Sequence, residues 1–287
     1  MNKYNEAVAK YEKNLNDEIV KNEVENLLKN ALAKNCNKDV YKTIFSCMDI
    51  TTLDVTDNYE SVLKLVEMIN KMDTDHPEIE NVAAICIYPN FVTAVRGALE
   101  VSEVKVAAVA GGFPSSQTYP EVKTIEAGLA LKDGADELDI VMNVGNFMIG
   151  NYEDMCDEIT EIKEICGDAT LKVILETGAL NNYNDIRKAA ILSIYAGADF
   201  IKTSTGKIGI GATPEAFYVM CNAIKDYYNE TGTKIGIKAA GGIKTANDAT
   251  KYYTIASEIL GEEWMNKDLF RIGAASLANN LIAAINE

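Results

Sequence analysis

The stretch from residue 198 to residue 208 reads Ala198-Asp199-Phe200-Ile201-Lys202-Thr203-Ser204-Thr205-Gly206-Lys207-Ile208. An apolar run leads into Lys202, and a turn of threonine, serine, glycine and lysine follows at once. This order predicts a buried strand that ends at a lysine, beside a loop whose backbone N–H groups could hold a phosphate. An amine in such a place is a candidate covalent nucleophile.

A second lysine repeats the pattern one strand later, in Gly236-Ile237-Lys238-Ala239-Ala240-Gly241-Gly242. Two ammonium groups about 5 Å apart, at an effective dielectric constant of about 20, repel each other by roughly 3 kcal/mol. Such repulsion lowers a lysine pKa by about 2 units from its usual ~10.4. We therefore expect Lys238 to hold Lys202 near neutrality, where a lysine can attack a carbonyl.

Strand-like and helix-like segments alternate along the whole chain. The predicted strands are 43–48, 82–87, 104–110, 137–142, 171–176, 199–203, 234–239 and 269–273. The predicted helices between them include 59–71, 121–132, 152–165, 183–196, 215–229 and 246–260. This alternation is typical of parallel strands with right-handed crossovers. Eight units predict an α/β fold, a (β/α)8 TIM barrel over residues 43–287, with an N-terminal helical extension over residues 1–42.

The alternation within four consecutive strands separates an apolar face from a face with charged residues. Since helices cover the outside of such a barrel, the apolar face should point outward. The side chains on the other face, predicted to lie inside the barrel, are Asp139, Lys172, Lys202 and Lys238. Buried lysines are rare unless paired, so this group predicts a catalytic site. A purely structural network of ion pairs inside the barrel is the alternative.

Three loops predict a phosphate site on one rim of the barrel. Gly206 and Lys207 follow the sixth strand, residues 241–244 follow the seventh, and residues 273–276 follow the eighth and open the last helix. Backbone N–H groups at glycine turns and at a helix N-terminus bind phosphate, and barrels commonly place this site after strands seven and eight.

Bulk properties exclude several classes of function. The chain has 287 residues, 48% of them hydrophobic, and a net charge of −16, which argues against nucleic acid and anionic membrane surfaces as partners. No stretch approaches the ~18 apolar residues that span a bilayer. The six cysteines are scattered and His76 is the one histidine. We therefore expect a reduced cytoplasmic protein with no signal peptide, no metal site and no histidine-based mechanism.

Several motifs resemble those of deoxyribose-phosphate aldolase, in the same order, from about residue 43 to residue 283. They are Met48–Leu53, Ala84–Pro89, Gly134–Asp139, Leu171–Gly178, Phe200–Lys207 and Lys238–Gly242. The resemblance implies a class I aldolase that needs no metal and no cofactor. Such an enzyme interconverts 2-deoxy-D-ribose 5-phosphate with D-glyceraldehyde 3-phosphate and acetaldehyde, in deoxyribonucleotide catabolism. It also implies a homodimer.

The resemblance implies roles for particular residues. Lys202 matches the lysine that forms the Schiff base, Lys238 matches the lysine that lowers its pKa, and Asp139 matches the acid/base carboxylate. The residues that match substrate contacts are Asp49, Cys86, Lys172 and Thr205. The residues that match phosphate contacts are Gly206, Lys207, Gly241, Gly242, Lys244, Gly273, Ala275 and Ser276.

The chain departs from the pattern of the family at three places. Ala275 stands where many members have a serine, which removes one hydroxyl donor to phosphate. Lys244 stands where some members have arginine, so a bidentate phosphate contact is not available there. The last residues, Ala284–Glu287, include no tyrosine, which some members use to assist proton transfer.

Two other functions stay open on the sequence. One is an aldolase or isomerase that acts on a different sugar phosphate, although the lysine pair disfavours a simple isomerase. The other is a non-catalytic sugar-phosphate sensor, which would be expected to lose Lys202, Lys238 or Asp139, and all three are present.

Overall fold

Eight parallel strands form a closed barrel in chain order, which confirms the predicted (β/α)8 architecture. The computed structural model describes residues 3–287, so Met1 and Asn2 of the predicted extension lie outside the described residues. The strands are β1 Met48–Thr51, β2 Ala84–Ile87, β3 Lys105–Ala110, β4 Glu137–Val141, β5 Thr170–Ile174, β6 Phe200–Lys202, β7 Gly236–Ala240 and β8 Phe270–Ala274.

Helices surround the barrel, and the six whose bounds were predicted lie within four residues of those bounds. They are α1 Lys3–Tyr11, α2 Asp17–Asn35, α3 Lys38–Ser46, α4 Tyr59–Asp75, α5 Val92–Ala98, α6 Pro120–Lys132, α7 Val144–Met148, α8 Tyr152–Cys166, α9 Tyr183–Tyr195, α10 Pro214–Thr231, α11 Ala246–Ile259 and α12 Leu277–Asn286. Across residues 3–287, none of these helices combines the length and the apolar character that crossing a bilayer requires.

The first strand was predicted wrongly. Residues 43–46 belong to α3, and β1 begins at Met48. The Asn37 side chain caps α3 by accepting a hydrogen bond from the Val40 N–H at 3.1 Å. A short apolar run such as Ile44–Phe45 fits a buried helix as well as a strand, because periodicity alone does not separate the two. The boundary proposed after residue 42 therefore falls inside a continuous helix.

The N-terminal helices wrap one side of the barrel. Helix α1 packs on α8 and α9, α2 packs on α10 and α11, and α3 packs on α11 and α12. The segment between α1 and α2 is fastened by Asn184, whose side chain bonds both the N–H and the C=O of Leu15 at 2.8 and 3.0 Å. The extension thus covers the helices around β5–β8, the half of the barrel that carries the three lysines.

The strand faces are divided as predicted. The apolar residues that alternate with the lysines, such as Val173, Ile201 and Ile237, belong to the large core between the sheet and the helices. The strand register pairs Asp139 with Lys172, and Lys202 with Lys238. The charged side chains of neighbouring strands therefore meet inside the barrel.

Candidate active site

Asp139 is the centre of a buried charged cluster. Its Oδ2 atom accepts hydrogen bonds from the Nζ of Lys202 at 2.7 Å and of Lys238 at 2.8 Å. Its Oδ1 atom accepts one from Lys172 Nζ at 2.9 Å. All four side chains are at most 2% exposed. The structure thus brings together the four interior residues predicted from strand alternation.

The cluster extends to two residues that the sequence argument did not assign, Glu137 and Arg271. Arg271 Nη1 donates to Asp49 Oδ1 at 2.6 Å, and its Nη2 donates to Glu137 Oε1 at 2.8 Å. Glu137 also accepts from Lys172 Nζ at 2.5 Å. The signal was available, because Arg271 lies two residues before Gly273 on β8 and the same alternation places both inside.

The charges of the cluster do not balance when every group is ionised. The four cations are Lys172, Lys202, Lys238 and Arg271, and the three carboxylates are Asp49, Glu137 and Asp139. Within residues 3–287, the Lys202 ammonium pairs with Asp139 alone, whereas Lys238 pairs with both Asp49 and Asp139. Loss of the Lys202 proton therefore leaves three cations facing three carboxylates.

The pKa of Lys202 lies below its ordinary value. Burial is the largest cause, because it disfavours the charged amine, and the charge of Lys238 acts in the same direction. The attraction of Asp139 opposes both and offsets them only in part. Repulsion between the lysines was predicted as the main cause, but in the structure burial lowers the pKa of Lys202 more than the charge of Lys238 does.

The other lysines of the cluster behave in the opposite way. Burial alone would lower the pKa of Lys238, but Asp139 and Asp49 outweigh it and raise that pKa above the usual value. Burial acts likewise on Lys172, where Asp139 and Glu137 outweigh it and raise the pKa. At neutral pH, Lys202 is therefore the lysine of the cluster best suited to lose its proton and act as a nucleophile.

Replacing Arg271 with methionine is expected to lower the free energy of unfolding by about 3–5 kcal/mol, because Asp49 and Glu137 lose a buried partner. Urea denaturation followed by circular dichroism measures the loss. The double variant Arg271→Met/Glu137→Gln also removes the charge of Glu137, which would otherwise lack its guanidinium partner. We expect it to recover part of the lost free energy of unfolding. A single variant as stable as the parent would show that the guanidinium contributes nothing net.

A cavity of about 280 Å³ lies at the carboxyl end of the strands and reaches Lys202. Its wall includes every residue predicted to contact phosphate, together with Thr205. Those residues are Gly206, Lys207, Gly241, Gly242, Lys244, Gly273, Ala275 and Ser276. The three predicted loops thus converge on one rim, next to the candidate nucleophile.

Local contacts explain the shape of this cavity. The Lys207 ammonium donates to the Leu53 carbonyl, so it bridges the loops after β6 and β1. The Thr205 hydroxyl donates to Glu176 at 2.5 Å. Gly273 has a steric reason to lack a side chain, since a Cβ there would lie 2.9 Å from Cε of Lys238.

Three residues predicted to contact substrate are not among those that line this cavity in the described part of the chain. Asp49 and Lys172 are fully buried in the charged cluster. Cys86 is fully buried too, with its Sγ 3.9 Å from Asp139 Oδ2, and burial raises the pKa of its thiol. Asp49 and Lys172 therefore form ion pairs within the charged cluster around Asp139, and they do not line the cavity.

The loop after β1 forms part of the cavity and was missed. Thr51, the last residue of β1, and residues 52–54 of the loop line the cavity together with the glycine loops. The first strand had been placed five residues too early, so these residues had no assigned position at a strand end. They lie at the carboxyl end of β1, as Gly206 lies after β6. Had β1 been predicted to begin at Met48, these residues would have been predicted to lie on the rim.

A TIM barrel whose buried lysine–aspartate cluster opens onto a glycine-rich rim has the groups that an aldolase needs. Comparison with known proteins agrees. The DeoC/LacD family aldolase model matches residues 43–281. Deoxyribose-phosphate aldolases of Mus musculus and Homo sapiens are each 39% identical to this chain, over 245 and 244 residues, which cover 82% of this chain and 77% of each relative.

A solved structure gives the same result for the fold. That structure is described as the unique tetrameric structure of deoxyribose phosphate aldolase from Aeropyrum pernix. It superposes on this chain with a TM-score of 0.70, and the two sequences are 26% identical. The match covers 91% of this chain and 97% of that one. The chain therefore belongs to the DeoC/LacD aldolase family, and it is a carbon–carbon lyase.

Proposed function

We propose that this enzyme cleaves 2-deoxy-D-ribose 5-phosphate to D-glyceraldehyde 3-phosphate and acetaldehyde through a Schiff base on Lys202. The observation that carries the proposal is the position of Lys202, a buried lysine with a lowered pKa at the floor of a cavity rimmed by glycine loops. The names of the similar mouse and human proteins support this choice of substrate.

The rim supplies a local site for the phosphate in a chain whose net charge is −16. Gly206 and Gly241 adopt positive φ angles of 75° and 89°, which residues with side chains rarely adopt, and both glycines line the cavity. Helix α12 begins directly after Ser276, and its N-terminus favours an anion. Lys207 and Lys244 add positive charge at the same rim.

The reaction begins with attack of the neutral Lys202 amine on the C1 aldehyde of the open-chain sugar. The carbonyl oxygen leaves as water and an iminium forms. The C3 hydroxyl then loses its proton, the C2–C3 bond breaks, and its electron pair moves into the iminium. D-glyceraldehyde 3-phosphate leaves, and an enamine of acetaldehyde stays on Lys202.

Protonation of the enamine at its terminal carbon restores the iminium, and water releases acetaldehyde and the free amine. These proton transfers need an acid/base group beside Lys202, where it can take the proton of the C3 hydroxyl and return one to the enamine carbon. Asp139 bonds both Lys202 and Lys238 through one oxygen, so it links the nucleophile to a lysine that stays charged. We assign Asp139 the acid/base role and Lys238 the role of holding the pKa of Lys202 down.

The direct test combines product analysis with covalent trapping. Purified enzyme given 2-deoxy-D-ribose 5-phosphate should form acetaldehyde and D-glyceraldehyde 3-phosphate in equal amounts. With acetaldehyde and borohydride, reduction of the imine should leave an ethyl group on the peptide that contains Lys202. Cleavage of another sugar phosphate with no turnover of this one would reject the substrate, and trapping without turnover of any sugar phosphate would reject the reaction.

Replacing Ala275 with serine is expected to lower the KM for deoxyribose 5-phosphate by up to about tenfold, because a hydrogen bond to a charged group is added at the rim. The KM for unphosphorylated deoxyribose should not change. Ser276→Ala is the matched control and should act in the opposite direction. Equal effects on both substrates would mean that this loop does not touch the phosphate.

Chelation is expected to leave the rate unchanged. The iminium supplies the electron sink that a Lewis acid otherwise supplies, and the carboxylates around Lys202 are already bonded to cations. The measurement is the turnover rate after dialysis against EDTA. A large loss of rate that added zinc restores would contradict the Schiff-base mechanism.

We place this activity in the cytoplasm, in the catabolism of the sugar released from deoxyribonucleotides. The substrate is then a small sugar phosphate, and neither nucleic acid nor a membrane takes part. A homodimer, which the family resemblance implies, is part of the same proposal.

A further inference from the structure

Helix α6 has an unusual outer face. Its sequence, Pro120–Lys132, buries the small residues Ala127 and Ala130 against the barrel. Its outer side carries Val122, Ile125 and Leu129, which are 46%, 61% and 53% exposed. A helix that is apolar on both sides is usually covered on both sides. In residues 3–287, the outer side of α6 has no covering element.

Neighbouring residues enlarge this surface. Tyr119 precedes α6 and is 75% exposed, and Ile165 of α8 is 41% exposed. Gly128 lies between Ile165 and the α6 stripe, since a Cβ built there would lie 3.8 Å from Ile165 Cγ2. We call this surface the α6 patch. Its residues are Tyr119, Val122, Ile125, Leu129 and Ile165.

The charges that flank the α6 patch identify its partner. Glu121 lies at the start of the exposed face of α6 and Lys132 at its end. They are about 16 Å apart along the helix and, with the apolar stripe, occupy an arc of about 100°. An antiparallel copy of α6 places Glu121 beside the partner subunit's Lys132, and Lys132 beside the partner subunit's Glu121.

We infer that the α6 patch binds the α6 patch of a second copy of this chain, with the two α6 helices antiparallel about a two-fold axis. Such an interface is self-complementary, with an apolar centre and a charged rim. The missing side chain of Gly128 leaves space for the partner subunit's Ile125. The inference goes beyond the proposed reaction, because the family resemblance gives a homodimer but no surface.

The α6 patch is connected to the mouth of the barrel. Lys123 of α6 donates to the Ser116 hydroxyl at 2.8 Å, and Glu126 accepts from the Gly112 N–H at 2.8 Å. Both contacts fasten the loop between β3 and α6. Phe113 of that loop packs edge-on against Tyr88, with ring centroids 6.4 Å apart, beside the apolar part of the barrel interior. A second copy on α6 would thus stabilise a loop at the active-site entrance.

The first test is the mass of the full chain in solution, measured by sedimentation equilibrium. We expect the parent to associate and Ile125→Glu to have half the mass of the parent. Ile19→Glu on α2 is the matched control, since Ile19 is a single apolar residue that is 55% exposed. It should keep the mass of the parent. A monomeric parent, or an Ile125→Glu variant with unchanged mass, would overturn the inference.

Charge exchange tests the antiparallel arrangement without changing the apolar centre. In a dimer of either single variant, Glu121→Lys or Lys132→Glu, the two-fold axis creates two contacts between like charges. Each variant should therefore self-associate about tenfold or more weakly than the parent. Mixing the two variants restores both ion pairs, so a heterodimer should form with affinity near that of the parent. Failure of the mixture to associate better than either variant would reject this arrangement.

Discussion

Replacing Lys202 with alanine is expected to lower kcat/KM for deoxyribose 5-phosphate by at least about 10⁴-fold, because the covalent intermediate has no other site. Borohydride trapping with acetaldehyde should disappear in the same variant. The physical reason is that Lys172 and Lys238 each contact more than one carboxylate and have raised pKa values. Neither can replace Lys202 as a neutral amine at pH 7.

The control for this result is Lys64→Ala, which removes a solvent-exposed lysine of α4 that pairs only at the surface. Its turnover and its trapping should equal those of the parent. Peptide mapping by mass spectrometry locates the ethyl group in each protein. If the Lys202→Ala variant still traps acetaldehyde on one other lysine of the cluster, the nucleophile must be reassigned to that residue.

Replacing Lys238 with leucine is expected to move the acid limb of the pH profile upward by about 1–2 units. In the parent, Lys238 repels the Lys202 ammonium and shares Asp139 Oδ2 with it. Its removal ends the repulsion and leaves Asp139 to pair more strongly with Lys202, and both changes raise the pKa of Lys202. Burial persists, so that pKa should stay below the ordinary value.

A higher pKa means that more of Lys202 is protonated at any pH below it, so activity near neutrality falls and recovers as pH rises. The measurement is kcat/KM against pH or, where turnover is too slow, the rate of imine trapping against pH. Lys238→Leu/Asp49→Asn is a useful second variant, because it also removes the carboxylate that Lys238 neutralises at 2.5 Å. An acid limb that stays in place in both variants would leave Lys238 with a structural or proton-relay role.

The sequence alone was sufficient for the architecture and for the inward-facing residues. Strand periodicity depends on local backbone geometry, so it placed Asp139, Lys172, Lys202 and Lys238 on the inner face before any contact was known. Parallel strands also end at the same rim, which was enough to predict that the loops after β6, β7 and β8 converge on one side of the barrel. The same reasoning failed at β1, where a short buried run was part of a helix.

Only the tertiary structure decided which charges face each other. Arg271 reaches Asp49 and Glu137 across 222 and 134 residues of chain, and no periodicity reports such pairs. In the same cluster, Lys202 forms an ion pair with one carboxylate, whereas Lys238 forms ion pairs with two. The ionisation of a buried amine depends on its burial and on every charge within a few ångströms. The sequence could therefore place two lysines at neighbouring strand ends, but the closed barrel determines which of them has the lowered pKa.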